Sequence, residues 1–470
     1  MRLEASQSRK SERKPPMPAP ISRTLAEFAA KLKYEDIPAL AVEAINTGMA
    51  DTVGVMMSGI GTSVSNIVLA ELGTRGSKGD ARIFLGKERA STTEAALVNS
   101  ATTTSVVYDD VAFSGCHTST ILMPALVAEA EASGASGKDV IRGYAAGYEA
   151  WARLSERDPD SYAGKGWHAT AAFGPTAAAI AISSLHGFDA ETTLRAIGIA
   201  AAMPGGITAS FDTDVGPFQV GRGAAAGVMA ARLAKAGMST PQDGLERSGR
   251  GMLVALSPKG AVDLDTPIED LGKAWRLETV GINIKQYPFG NMNQRAIDGA
   301  LDLVREHDVS PDAIERVDVM ISEAQYAVVS KSPSTINFVP SHSIALGVAG
   351  AIISRQGTFH ELSEAFYSRP EVQALMKVIK PATDKSIPAD TQPNLGYSGG
   401  VRIYLKNGTM LESPSIPYAR GHWTRRMSEE ELWSKFAACS KKQLDEATAR
   451  RLFDQMIRLQ NVARISDLAA

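Results

Sequence analysis

The stretch VVYDDVAFSGCHTST, which runs from Val106 to Thr120, places the adjacent carboxylates Asp109 and Asp110 a few residues before His117. Paired carboxylates can share a proton or orient a catalytic imidazole, and an imidazole titrates near neutral pH. The same residues also fit a solvated turn that caps a helix beginning near residue 118. Spacing alone leaves both interpretations open.

Two further histidines stand where a loop leads into a predicted helix. His168 lies in the Gly-rich stretch GKGWHATAAFGPT, and His342 lies in VPSHSIALG. Helix N-termini bind anions readily, so the three histidines together predict a site for negatively charged groups, although a lone loop histidine is usually just solvated. Lys285, in IKQYP, is a candidate positive partner. The alternative for Lys285 is an exposed lysine on a strand edge.

The common cofactor motifs are absent from the sequence. The stretch GRGAAAG, Gly221–Gly227, lacks the preceding strand and the glycine spacing of a dinucleotide site, so we expect close helix packing there. There is no Walker, His-Glu-x-x-His or Gly-x-Ser-x-Gly motif. Cys116 and Cys439 are the only cysteines, too few for a disulfide framework or a zinc cluster. We therefore predict a protein that needs neither a metal nor a cofactor.

The composition is typical of a globular protein with two or three domains. The 470 residues are 44% hydrophobic and 21% charged, with a net charge of −3. That charge does not favour nucleic acid, and no apolar run approaches the roughly 18 residues of a membrane span. The two cysteines favour a reduced compartment, and we predict a cytoplasmic protein. Residues 1–21 predict a disordered tail; Glu4, Glu12 and the prolines argue against a mitochondrial transit peptide.

From Ser22 onward, apolar residues recur at helical spacing. The stretch TLAEFAAKLKYEDIPALAVEAINTGMADTVGVMMSGI predicts helices with a break near Pro38. Further helices are predicted in TEAALVNSATTTSVVY, in TSTILMPALVAEAEASG with its end at Gly134, in GKDVIRGYAAGYEAWARLS, and in the stretches GPTAAAIAISSLHG, AETTLRAIGIAAAM and GRGAAAGVMAARLAKAG. The last three are rich in small residues, which let helices pack closely. We therefore expect a compact helical body up to about Ala261.

Strand-like patterns begin near residue 280. TVGINIKQYP and IERVDVMIS predict strands, GGVRIYLKNGTMLES predicts a hairpin with Asn407-Gly408 as its two-residue turn, and HSIALGVAGAII and RPEVQALMKVI predict intervening helices. SEEELWSKFAACS, with Ser428 and Glu431 as a capping box, and ATARRLFDQMIRLQ return to amphipathic helix. The pattern predicts a mostly α fold. It consists of a large all-helical domain over 22–279, completed by 413–470, and a smaller α+β domain over 280–412.

The order and spacing of several stretches carry a family resemblance. They are VYDDVAFSGCHTST, GWHATAAFGPTAAAIA, GPFQVGRGAAAGVMAARLAKAG, IKQYP, HSIALGVAGAI, RIYLKNGTM and RGHWTRRMSEEELWSKF. From Ser22 to about Leu459 the chain resembles the MmgE/PrpD family of dehydratases, decarboxylases and epimerases. The resemblance implies a helical domain with a smaller α+β lid domain, a homodimer, no metal, and a small polycarboxylate substrate held between body and lid.

The resemblance also implies where an active site would lie. His117, His168 and Lys285 match family active-site positions and are the candidate catalytic residues. The candidate substrate contacts are Asp109, Asp110, His342 and Tyr287.

Two positions depart from the family pattern. Val107 stands where the family usually has the first Asp of an Asp-x-Asp-Asp run, and Gly216 stands where many members have a lysine. Losing one carboxylate and one cation would alter both proton transfer and charge pairing with the substrate. A substrate with fewer carboxylates, or with an alkyl tail, would fit these losses.

Three functions remain open at this point. The first is a cofactor-independent lyase, a dehydratase or decarboxylase, that acts on a small di- or tricarboxylate or an alkylcitrate-like acid. In it His117 or His168 would transfer the proton, Lys285 would hold a substrate carboxylate, and cations would stabilise the carbanion or enediolate. The second is an isomerase or epimerase on the same substrate class, which needs no leaving group. The third is a catalytically silent paralogue that binds a ligand, which Val107 and Gly216 favour and the retained histidines and lysine oppose.

Overall fold

The computed structural model of the chain describes residues 20–73, 79–323, 326, 339–383 and 398–469. Within these residues the chain is mostly helical, with a small sheet in its C-terminal part, as the sequence predicts. Residues 1–19 of the predicted disordered tail lie outside the described residues. Ile21, which the prediction assigned to that tail, already belongs to the first helix.

The first part of the chain consists of helices joined mostly by short loops. They are α1 (Ile21–Lys31), α2 (Ala39–Gly59), α3 (Ser63–Gly73), α4 (Thr92–Thr104), α5 (Thr118–Ser133), α6 (Gly137–Ser155), α7 (Ala169–Leu185), α8 (Ala190–Ala200), α9 (Val215–Lys235), α10 (Met252–Ala255) and α11 (Arg276–Thr279). A short hairpin of β1 (Ala81–Arg82) and β2 (Arg89–Ala90) lies between α3 and α4. The predicted helix limits are confirmed at two places, because Pro38 is the N-cap of α2 and Gly134, at φ 71°, ends α5.

Glycines allow α9 to lie close against its neighbours. A Cβ atom on Gly221 would lie 2.4 Å from the carbonyl oxygen of Leu97 in α4, and one on Gly227 would lie 2.3 Å from Cβ of Ala178 in α7. A side chain larger than hydrogen cannot be placed at such distances without moving the helices apart. The interpretation of GRGAAAG as a helix-packing stretch is therefore confirmed.

The second part of the chain contains a four-stranded sheet among the described residues. Its strands are β3 (Ile314–Ile321), β4 (Ile379–Ala382), β5 (Ser398–Leu405) and β6 (Met410–Glu412), in the order β4-β3-β5-β6. Strand β4 is parallel to β3, whereas β5 is antiparallel to both β3 and β6. The helices of this part are α12 (Gln294–Glu306), α13 (Ile344–Ser354), α14 (Glu364–Tyr367) and α15 (Pro370–Val378).

The predicted strand in TVGINIKQYP is wrong. Asn283 makes only an isolated bridge with Val111, the next N–H, of Ile284, donates to the carbonyl oxygen of Gly421, and the N–H of Tyr287 donates to the side chain of Gln294. These partners belong to three separate segments, so no continuous ladder can form. The segment instead crosses from the helical part to the α+β part as extended chain.

The predicted hairpin is present, but its turn is longer than expected. The N–H of Leu405 donates to the carbonyl oxygen of Thr409, which leaves a three-residue loop, Lys406–Gly408, instead of two residues. Gly408 lies at φ 87° at the last loop position. A three-residue loop that ends on a left-handed glycine is a common hairpin connection.

Most of the buried apolar side chains form two large cores. The first core gathers residues of α1, α2, α5, α6, α7 and α9, together with α16 (Glu429–Ser440) and α17 (Glu446–Met456), which follow the sheet in sequence. The second core lies between the sheet and α12, α13 and α15. The capping box of Ser428 and Glu431 that begins α16 is confirmed. Ile282 and Ile284 still belong to the first core, and the second core begins at Tyr287. The domain limits of 22–279 with 413–470, and of 280–412, stay predictions.

The described helices differ in length and in apolar character. No single one is both long enough and apolar enough to cross a membrane. Helices α2 and α3 meet the test of length and composition only as a pair, bent by 86°. Most residues of α2 are buried inside the protein.

Candidate active site

The loops before α5 and α7 bring His117 and His168 together. His117 is the N-cap residue of α5, and His168 is the N-cap residue of α7. The backbone N–H of His117 donates to the hydroxyl of Thr170, in the first turn of α7, at 3.0 Å. Two helix N-termini therefore meet at the histidines, and their aligned peptide dipoles favour negative charge there. The predicted position of both histidines at helix starts is confirmed.

The surroundings of His117 fix the position of its proton. Its Nδ1 lies 2.7 Å from the carbonyl oxygen of Asp110 and 2.9 Å from Oδ2 of Asp109. Since both neighbours are acceptors, Nδ1 carries the proton in the neutral ring and Nε2 carries the lone pair. The His117 side chain is 22% exposed. His117 can therefore accept a proton from a ligand at Nε2.

His168 has the opposite arrangement. Oε1 of Gln219 accepts the backbone N–H of Ile207 at 2.9 Å, which directs Nε2 of the same amide to Nδ1 of His168 at 2.8 Å. Nδ1 is thus an acceptor, and the proton of His168 lies on Nε2. Burial, followed by the charge of His117, lowers the pKa of His168 to about 3. At neutral pH His168 is therefore an uncharged hydrogen-bond donor.

A buried ion pair lies behind His117. Lys285 is 3% exposed, and its Nζ lies 3.4 Å from Oδ1 of Asp109 and 3.0 Å from the carbonyl oxygen of Val107. Burial alone would raise the pKa of Asp109, but the charges of His117 and Lys285 outweigh it and hold that pKa below its usual value. Asp109 is therefore ionised and stabilises positive charge on the His117 ring. The alternative of Lys285 as an exposed strand-edge lysine is wrong.

Asp110 is as deeply buried as Asp109 but lacks a cation of its own. Its Oδ2 accepts the hydroxyl of Ser119, whose oxygen lies 2.7 Å from the hydroxyl of Tyr144. Burial, against the lowering effect of the Ser119 hydrogen bond, raises the pKa of Asp110 to about 7. The two aspartates are 1% and 0% exposed. The alternative of a solvated turn is therefore wrong.

The two other predicted substrate contacts lie in the α+β part. Tyr287 is buried, and its hydroxyl donates to Oδ1 of Asp298 at 2.7 Å. His342, just before α13, is exposed, and its Nδ1 lies 2.5 Å from Oδ1 of Asp212, in the loop before α9. This hydrogen bond links the α+β part to the helical part. The roles of Tyr287 and His342 as substrate contacts stay predictions.

The two positions that depart from the family pattern lie next to site residues, Val107 beside Lys285 and Gly216 beside the loop that packs on His168. Val107 has φ 56°, a conformation that is a clear outlier for a β-branched residue. A Cβ atom on Gly216 would lie 3.1 Å from the carbonyl oxygen of Ser210 and 3.8 Å from Cα of Phe211. The Phe211 ring packs edge-on against His168, with ring centroids 4.9 Å apart. A side chain at position 216 would therefore press on the loop that flanks His168.

A second buried lysine, Lys435, was not among the predicted site residues. Nζ of Lys435, in α16, lies 2.6 Å from Oδ1 of Asp51, in α2, and both side chains are almost fully buried. The same Nζ donates to the carbonyl oxygens of Tyr108 and Lys285. In SEEELWSKFAACS the lysine falls on the apolar face of the helix, and a charge on such a face is the signal that could have identified it.

The described part of the chain offers no evident site for metal or thiol chemistry. No group of three or more His, Cys, Asp or Glu side chains there is arranged to hold a metal ion. Cys116 and Cys439 are free and buried. Burial raises the pKa of both thiols to about 12, so neither forms a thiolate at neutral pH.

Comparisons with known proteins establish the family. The MmgE/PrpD N-terminal domain matches residues 23–265, and the MmgE/PrpD C-terminal domain matches residues 287–459. The chain belongs to the MmgE/PrpD family. Curated relatives of this MmgE/PrpD protein include the cis-aconitate decarboxylase of Mus musculus, 26% identical over 434 residues, which are 89% of this chain and 86% of the relative. The Homo sapiens enzyme is 26% identical over 80% of this chain and 78% of its own, and that of Aspergillus terreus is 24% identical over 95% of each.

Proposed function

We propose that this protein is a cofactor-independent lyase that acts on a small di- or tricarboxylate. The observation that carries the proposal is the complementary state of two neighbouring imidazoles. His117 presents a lone pair on Nε2, and His168 presents an N–H on Nε2. Chemistry next to a carboxylate needs a group that moves a proton and a donor that stabilises the developing negative oxygen. The curated relatives named cis-aconitate decarboxylase support a lyase of this kind.

The state of His168 favours decarboxylation over dehydration. Dehydration needs an acid that protonates the leaving hydroxyl; the pKa of His168 is lowered, so its ring is uncharged and that proton would have to come from His117. Decarboxylation needs only a hydrogen-bond donor where negative charge develops, which a neutral N–H supplies without losing its proton. We therefore propose decarboxylation as the leading reaction and dehydration as the second candidate.

In the proposed decarboxylation, the C–C bond to the leaving carboxylate breaks and its electron pair moves toward a retained carboxylate. The N–H of His168 donates to the oxygen on which negative charge grows. The Nε2 lone pair of His117 takes up a proton from solvent, and the ring then delivers that proton to the carbanion carbon. Carbon dioxide leaves, and His117 returns to its neutral form. Asp109 stabilises the positive charge of His117 while the proton is on the ring.

The structure suggests an indirect role for Lys285. Its ammonium is buried against Asp109 and the carbonyl oxygen of Val107. We propose that it keeps Asp109 ionised and in place beside His117. A direct contact of Lys285 with a substrate carboxylate stays a prediction.

The proposal is tested by product analysis with the purified protein and no added metal. The panel contains cis-aconitate, citrate, an alkylcitrate and a monocarboxylate, and carbon dioxide release and NMR spectra of the products are recorded. We expect carbon dioxide release from at least one unsaturated di- or tricarboxylate. Loss of water without carbon dioxide would support the dehydratase instead. If no panel member is converted or stabilises the protein against heat, the proposed substrate class is wrong.

A further inference from the structure

The ammonium group of Lys435, in α16, contacts the backbone of two segments of the candidate site, at Tyr108 and at Lys285. Nζ of Lys435 lies 2.6 Å from Oδ1 of Asp51, 3.0 Å from the carbonyl oxygen of Tyr108 and 2.9 Å from the carbonyl oxygen of Lys285. It also lies 3.9 Å from the centre of the Tyr108 ring. The two carbonyl oxygens accept hydrogen bonds from the ammonium, and the Asp51 carboxylate is its ion-pair partner. Lys435 is buried, and these contacts join its ammonium to other parts of the protein.

The two carbonyl groups that Lys435 binds flank the ion pair behind His117. Tyr108 directly precedes Asp109, and Lys285 is the partner of Asp109. The phenol of Tyr108 ties the same segments a second time, because it donates to the carbonyl oxygen of Gln286 at 2.9 Å. A shift of either segment would separate Asp109 from its cation.

The loop before Asp109 has an unfavourable backbone conformation that these contacts can stabilise. Val107 is held at φ 56°, which costs a β-branched residue free energy and persists only where the surroundings impose it. The carbonyl oxygen of Val107 accepts a hydrogen bond from Lys285, and the next carbonyl oxygen, of Tyr108, accepts one from Lys435. Two buried ammonium groups thus hold consecutive peptide groups of a strained loop. The position of Asp109 follows directly from that backbone.

We propose that Lys435, held by Asp51, is a positioning residue of the active site. It fixes the backbone on both sides of the Asp109–Lys285 pair and so keeps the Asp109 carboxylate against Nδ1 of His117. It touches no substrate. Its effect on turnover rests on the proposed lyase function, whereas its effect on His117 does not.

The test uses Lys435→Met with a matched control elsewhere in the molecule. Arg82 also pairs with a buried carboxylate, Glu131, at 2.5 Å and donates to three backbone carbonyl groups, those of Leu85, Ile465 and Leu468. None of these groups belongs to the loop of Asp109. Arg82→Met therefore measures the general consequence of breaking a buried ion pair with backbone ties.

Two measurements are made on each variant. The first is the 15N NMR spectrum of histidine-labelled protein, in which His117 is assigned by its loss in His117→Asn and the shifts report which ring nitrogen is protonated. We expect His117 to be protonated on Nδ1 in the unaltered protein and in Arg82→Met, and to become a mixture of tautomers in Lys435→Met. The second is turnover, where we expect kcat to fall about ten- to a hundredfold in Lys435→Met with a change in KM of less than about threefold.

A second variant covers the case in which Lys435→Met does not fold. Asp51→Leu combined with Lys435→Met replaces the ion pair by two apolar side chains, an exchange that often preserves stability. We expect this double variant to fold but to show the same tautomer mixture and the same loss in kcat. If its His117 spectrum and its kcat match those of Arg82→Met, the proposal is overturned. Absence of turnover in the unaltered protein would count against the lyase function alone, because the spectrum still tests the positioning role.

Discussion

Replacing Asp110 by Asn should make the protein's stability respond differently to pH. In the folded protein the pKa of Asp110 is raised to about 7 by burial, whereas an Asp in an unfolded chain has a pKa of about 3.9. The folded state therefore binds this proton more tightly than the unfolded state. Below pH 4 the carboxyl is protonated in both states and costs nothing. As pH rises from 4 to 7, the group lowers the free energy of unfolding, and the full penalty is present above pH 7.

The size of the penalty follows from the difference between the two pKa values. About 3 units at about 1.36 kcal/mol each give about 4 kcal/mol as an upper bound. Asn has the shape of the protonated acid and does not ionise. Its carbonyl can accept the hydroxyl of Ser119, and its NH₂ replaces Oδ1, which has no hydrogen-bond partner among the described residues. Any fixed cost of the substitution is independent of pH.

The assay is urea unfolding at several pH values between 4.5 and 8, for the unaltered protein and for Asp110→Asn. We expect the variant to gain stability relative to the unaltered protein as pH rises, by up to about 4 kcal/mol. Asp109→Asn is measured for comparison, because the pKa of Asp109 is shifted in the opposite direction to that of Asp110. Asp109 has a lowered pKa, so it stabilises the fold at neutral pH and loses that effect only as pH falls below about 4. A difference between Asp110→Asn and the unaltered protein that does not change with pH would refute the account of Asp110.

Three other predictions concern the loops around the histidines. Val107→Asn should raise stability by about 1 kcal/mol, because Asn tolerates a positive φ better than a β-branched residue; a lower midpoint of thermal unfolding would contradict this. Gln219→Glu should place the His168 proton on Nδ1, because a carboxylate can only accept a hydrogen bond there, and should reduce kcat at least about tenfold. Gln219→Leu should reduce kcat less. Equal rates for Glu and Gln at this position would show that the tautomer of His168 is unimportant. Gly216→Lys should shift substrate preference toward more highly charged acids, since it adds a cation and presses on the loop of Phe211; unchanged rate ratios across mono-, di- and tricarboxylates would argue against it.

The helical body and the positions of the histidines were predictable because they depend on local signals. Helical spacing of apolar residues, Pro38 and Gly134 set the helix limits, and a histidine that directly precedes such a pattern must stand at a helix start. The strand in TVGINIKQYP was predicted wrongly because a strand requires a partner, and pairing depends on segments remote in sequence.

The protonation states within the site were beyond prediction for the same reason. Whether Asp109 is ionised and Asp110 partly protonated depends on Lys285, Ser119 and Tyr144, which reach the two aspartates only through the fold. Their adjacent positions in the sequence suggest one shared role, whereas their surroundings give opposite shifts in pKa.

The most direct test of the proposed function follows deuterium from heavy water into the product of an unsaturated tricarboxylate. The unaltered protein should release carbon dioxide and place one deuterium on the carbon that is protonated. His117→Asn should lower the rate about a hundredfold or more, and His168→Asn should do the same. This is the usual scale for a group that transfers a proton or donates a hydrogen bond to a developing negative oxygen. The exposed histidines provide controls, and His307→Asn and His360→Asn should keep near-normal rates. Deuterium exchange without loss of carbon dioxide or water would identify an isomerase, and equal rates for the site variants and the controls would show that the chemistry does not depend on these two imidazoles.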